Sequence, residues 1–150
     1  MPAFMIPSRN LPWVPTNDLT RVNLGVNNLS VITQLITRGA RLSILAIVED
    51  GRSQFEQFFA GLPPPSKGKL RALFDFIAKN GAPRNIEKFR HEEDGIYAIK
   101  QNQIRVYCFF ETGQMIIVTH GTLKKRQKAN PKDLKRAKRL REEYLKAKRP

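Results

Sequence analysis

Apolar residues recur along this chain with two different periods, and the period changes where turn signals fall. Residues 42–48 form a short apolar run, the pattern of a strand. Glu49-Asp50-Gly51 turns the chain. Ser53 followed by Glu56 has capping-box spacing, so a helix starts there with Phe55, Phe58, Phe59 and Leu62 on its buried face. Pro63-Pro64-Pro65 ends it, and Ser66 is placed to cap a second helix. On that helix Leu70, Leu73, Phe74 and Ile77 fall at i, i+3, i+4 and i+7. Asn80-Gly81 and Pro83 close it, giving an αα-hairpin. Residues 85–89 are ambiguous, and 91–95 read as an acidic turn.

Strand patterning returns after Gly95. Residues 96–100, 104–110 and 114–120 predict a three-strand meander, with Glu111-Thr112-Gly113 at its second turn. Asn130 then caps a helix with Pro131 at its first position. Leu134, Ala137, Leu140, Tyr144 and Leu145 form that helix's apolar stripe. The predicted order is β-αα-βββ-α, an α+β domain with helices packed on a small antiparallel-rich sheet.

Residues 1–40 lack this regularity. Pro2, Pro7, Pro12 and Pro15 interrupt it early, and Asn17, Asn23, Gly25, Asn27 and Asn28 continue the turn-prone character. Leu24, Val26, Leu29, Val31, Ile32, Leu35 and Ile36 fit either a weak amphipathic helix or a strand. The expectation is a poorly ordered, dispensable extension over 1–40, a boundary at Gly39-Ala40-Arg41, and one functional domain over 41–150.

Charge adds a partner class. The chain carries 27 basic and 13 acidic residues, a net of +14. Residues 121–150 hold 13 of the basic and 3 of the acidic ones, so a net of +10 sits in the last fifth of the chain. That concentration points to a polyanion, nucleic acid first. Cys108 stands alone in an apolar strand, which fits a buried hydrophobe in a reducing compartment. No apolar run approaches the ~20 residues of a membrane span, and no secretory signal is evident, so the expected location is the cytoplasm.

The chemistry open to such a sheet follows from its cations. Metal-free RNA cleavage uses the RNA's own 2′-hydroxyl. The protein must hold the phosphate, stabilise charge on its oxygens and manage two protons. Arg105, on the middle strand of the meander, suits phosphate, because its guanidinium stays charged and offers a fork of donors. Lys124 and Lys125 are adjacent cations that depress each other's pKa, fitting either proton exchange or simple solvated charge. Lys100 has the same two readings. His120 titrates near neutrality as a free side chain, so it is either an acid–base group or a core histidine. Tyr107 shares a strand face with Arg105 and either stacks on a base or packs under the last helix. Tyr97 is a second stacking candidate. Arg126, Lys128, Lys135 and Arg139 are candidate RNA contacts beyond the sheet. No metal-ligand cluster or cofactor motif is present in the sequence.

The texts G-I-Y-A-I-K, I-R-V-Y and T-H-G-T-L-K-K-R-Q-K-A-N-P, in this order before a basic helix, resemble the RelE/HigB superfamily of toxins, and within it the phage-derived HigB-like branch. The resemblance covers about 42–147. It implies the toxin of a type II toxin–antitoxin module: a ribosome-dependent, metal-independent mRNA endonuclease that inhibits translation, held in check by a cognate helix-turn-helix antitoxin. Ala98 and Lys100 depart from the family pattern, where glutamate and arginine are common, and Thr122 replaces an aromatic. Two alternatives stay open: a ParE-like gyrase-inhibiting toxin, and a non-catalytic nucleic-acid-binding phage accessory protein.

Overall fold

The computed structural model describes residues 19–23, 30–124 and 128–148. Seven strands make one sheet: β1 (Leu19–Asn23), β2 (Ser30–Arg38), β3 (Ser43–Glu49), β4 (Phe89–Glu93), β5 (Ile96–Gln101), β6 (Ile104–Glu111) and β7 (Met115–Leu123). Their order across the sheet is β1-β2-β3-β7-β6-β5-β4. β3 and β7 run parallel, from Ser43 opposite Met115 to Ala46 opposite Val118. The other neighbours are antiparallel. The α+β class is as expected, with three helices packed on the sheet.

The central strands are mostly apolar because both faces are covered. Helices α1 (Gln54–Ala60) and α2 (Pro64–Asn80) cover one face, over Ile44, Ala46, Val106, Cys108, Ile116 and Val118. Helix α3 (Pro131–Lys148) covers the other, over Leu45, Ile47, Ala98, Tyr107, Phe109 and Ile117. Cys108 is buried in the first core, where loss of solvation pushes its thiol pKa up.

The caps explain where the helices begin. Ser53 accepts from the Glu56 backbone N–H at 3.1 Å, as its spacing predicts. Ser66 does not cap α2. The helix starts one turn earlier from Pro63, with Pro64 and Pro65 in its first turn, where a missing N–H costs nothing. The Asn130 side chain accepts from the Lys132 N–H at 2.8 Å and starts α3.

Two strands depart from the expectation. Residues 89–93 form edge strand β4 rather than an acidic turn. The turn proper is Asp94-Gly95, both at positive φ (50° and 80°), joining β4 to β5. The boundary at Gly39–Arg41 is the larger correction, because it falls in the β2–β3 turn of a continuous sheet. β2 pairs with β3 along its length, and Val31, Leu35 and Ile36 are buried. The turn is fastened to the end of α2. Arg41 and Leu42 N–H both donate to the Ala78 carbonyl, at 2.9 and 3.0 Å. A Cβ on Gly39 would stand 2.4 Å from the Ala78 backbone, so only glycine permits the approach. Thr37 donates to Asp75 Oδ1 of α2 at 2.8 Å. Residues 1–18 and 24–29 lie outside the described residues.

Candidate functional site

β6 sends alternate residues to opposite faces, so Arg105, Tyr107 and Phe109 share the α3 side. Register sets their neighbours. Lys100 of β5 lies opposite Arg105 and Ala98 opposite Tyr107, while Thr122 of β7 flanks Arg105 on the other side.

His120 reaches this face through an irregularity. Tyr107 pairs with His120 but Cys108 pairs with Val118, so Thr119 is the extra residue of a β-bulge. Before the bulge, Ile116 and Val118 face α1 and α2. After it, His120 and Thr122 lie opposite Tyr107 and Arg105. An unbroken strand would have sent His120 into the other core. Gly121 follows, and a Cβ there would lie 2.4 Å from the Phe58 ring, so glycine lets α1 close onto the strand.

Between this face and the start of α3 lies a cleft of about 590 Å³, lined by Arg105, Tyr107, Thr122, Lys124, Lys128 and Asp133 among others. Arg105 is only 2% exposed, and it hydrogen-bonds the Tyr107 side chain. Burial nevertheless holds the Tyr107 phenol above its ordinary range, with Arg105 opposing the shift. Lys100 is buried next to Arg105, and its Nζ donates to the Ile86 carbonyl at 3.4 Å. Burial holds the Lys100 pKa below the usual lysine range, reinforced by Lys124, Arg105 and Arg90. An ammonium so placed releases its proton more readily than one in water.

The His120 ring stacks on Tyr107, with centroids 5.0 Å apart and planes at 25°. Thr119 Oγ1 donates to the Tyr107 carbonyl at 3.1 Å and lies 3.2 Å from His120 Nδ1. Burial, then Arg136, push the His120 pKa down from 6.5 to about 3. A depressed histidine stabilises the fold above its unfolded pKa. That stability is lost as pH falls from 6.5 towards about 3. Denaturation midpoints should therefore fall between pH 6.5 and about 5, before most carboxylates protonate. The fall should be shallower in His120→Gln. Equal slopes for the two proteins would mean that His120 is not held neutral.

The remaining expected residues divide. Lys124 lines the cleft, and exposed Lys128 forms its rim. Lys135 lines a neighbouring depression of mixed charge, with Arg90, Lys128, Glu92 and Glu93. Arg139 lies elsewhere, 3.5 Å from Glu49. Tyr107 is buried against His120, so its ring is not an open stacking platform. Tyr97 belongs to the opposite sheet face, where it packs on Phe89 at 5.2 Å and on Phe110. Lys125 and Arg126 lie outside the described residues. Asp133 and Asn130 line the cleft without having been expected there. The sequence signal for Asp133 is slight: an acid in the first turn of a helix that is otherwise mostly basic.

Among the described residues no group of three or more His, Cys, Asp or Glu is placed to hold a metal. No helix among them is long and apolar enough to cross a membrane. Residues 57–142 match the family model described as Phage derived protein Gp49-like, a span that includes every residue of the Arg105 cleft. No curated protein matches the chain.

Proposed function

The chain belongs to the phage-derived Gp49-like family, which is associated with the toxins of toxin–antitoxin modules, and from that premise we propose that it is a RelE/HigB-like toxin that cleaves mRNA on the ribosome. The observation that carries this reading is Arg105. Its guanidinium is held on a rigid central strand, at the floor of a cleft that Lys124 and Lys128 also line, with Lys100 beside it on β5.

In the proposed mechanism Arg105 binds the scissile phosphate and stabilises charge on its oxygens as the 2′-hydroxyl attacks. Lys100 and Lys124 neutralise the phosphate, and one of them protonates the departing 5′-oxygen. His120, buried and held neutral, stacks on Tyr107 and positions that ring beside the cleft. The basic face of α3, with Lys135 nearest the cleft, steers the protein to ribosomal RNA. A helix-turn-helix antitoxin covering the same cationic cleft would silence it.

Brief induction in cells separates this reading from the gyrase alternative. Pulse labelling should show protein synthesis stopping before DNA synthesis, with existing mRNA fragmented. DNA synthesis stopping first, with intact mRNA and inhibited gyrase, would support a ParE-like toxin instead.

A further inference from the structure

His120 and Asp133 meet beside the Arg105 cleft. His120 Nε2 is buried and makes no hydrogen bond among the described residues. Asp133 Oδ1 stands 3.7 Å from it. At that separation the two groups make no hydrogen bond and share no proton. Asp133 keeps 19% of its side chain exposed while His120 keeps 1%, so the carboxylate is the member that a substrate reaches. It is also firmly placed, since its backbone N–H donates to the Asn130 carbonyl at 2.9 Å at the start of α3.

We propose that Asp133, which lines the Arg105 cleft, is a further catalytic residue: its carboxylate takes the proton of the attacking 2′-hydroxyl, with the buried His120 ring packed behind it. This rests on the cleavage reading above. The 2′-oxygen forms a bond to phosphorus as the bond from phosphorus to the 5′-oxygen breaks. The 2′-hydroxyl proton passes to the Asp133 carboxylate, and a lysine ammonium of the cleft gives a proton to the 5′-oxygen. The products are a 2′,3′-cyclic phosphate and a 5′-hydroxyl. Asp133 thus supplies the carboxylate that position 98, an alanine, does not.

Several groups face this carboxylate. Arg105 and Tyr107 of β6, Thr122 of β7, and Lys124 and Lys128 line the same cleft, and His120 of β7 lies 3.7 Å away.

The test is single-turnover cleavage of a defined mRNA on purified ribosomes across a pH series. Asp133→Asn should fold and bind as the wild type does, lose about 10²–10⁴-fold in rate, and lose the acidic limb of the rate profile. Asp133→Glu should recover part of the rate and retain that limb. A purely structural role would lower stability and leave the limb in place. If Asp133→Asn does not fold, Asp133→Glu decides: a wild-type limb shifted in pH supports the assignment, and an unmoved limb overturns it. Wild-type rate and limb in Asp133→Asn overturn the assignment while leaving the cleavage reading intact, provided Arg105→Ala is inactive. A wild-type protein that does not cleave overturns both.

Discussion

Arg105→Ala is expected to lower mRNA cleavage by about 10²–10³-fold, the usual cost of removing one donor aimed at transition-state charge. The whole effect should appear in the rate at saturating ribosomes, because Lys124, Lys128 and the α3 cations still bind the polyanion. Arg105→Lys should recover little. An ammonium keeps the charge but loses the planar fork that grips phosphate and the bond to Tyr107. Growth arrest on induction should disappear in both variants. Thermal unfolding must accompany the rate measurement, since Arg105 is buried in the sheet and its removal leaves space beside Tyr107. A folded Arg105→Ala protein that cleaves at the wild-type rate would remove Arg105 from the chemistry.

Truncation to 41–150 should unfold the protein. It removes β2, with buried Val31, Leu35 and Ile36, and uncovers the full edge of β3. At about 1.5–3 kcal/mol for each buried aliphatic side chain, the loss is comparable with the ~5–15 kcal/mol that stabilises a typical domain. Loss of the Thr37–Asp75 bond and of the Ala78 anchorage adds to it. Ile36→Ala in the full chain should alone cost about 2–5 kcal/mol. Soluble expression and chemical denaturation measure both effects. A truncated protein that is soluble and melts like the full chain would restore the expectation that residues 1–40 are dispensable.

These two outcomes mark what the sequence does and does not make legible. Helices α1 and α3 announce themselves through local chemistry: Ser53 with Glu56, and Asn130 with Pro131, whose side-chain caps the structure contains. The β5–β6–β7 meander is legible because apolar β-branched residues and short turns coincide. Arg105, Lys100 and Tyr107 fall on one face by simple alternation and cross-strand register.

What stays hidden depends on long-range contacts. β2 follows turn-prone text and carries Thr33 and Thr37, polar side chains that are nevertheless buried. Its worth comes from pairing with β3 and from α2, whose Asp75 and Ala78 lie about 40 residues further along the chain. β4 reads Phe-Arg-His-Glu-Glu, polar enough for an edge strand and too polar for a confident pattern. His120 changes face because one extra residue, Thr119, is inserted, and nothing local signals a bulge there. Asp133 enters the site only because α3 folds back over the sheet. In a linear reading it is one acid in a basic helix.

The most direct test of the central claim is the chemistry of the ends that the wild-type protein leaves on a defined mRNA bound to purified ribosomes. Attack by the 2′-hydroxyl predicts a 5′-hydroxyl on the downstream fragment, labelled by polynucleotide kinase without prior phosphatase treatment. The upstream fragment should end in a 2′,3′-cyclic phosphate or its 3′-phosphate hydrolysis product. The yield should be unchanged by chelator at a concentration that leaves the ribosomes intact. Intact mRNA, or fragments carrying 5′-phosphates, would contradict the account.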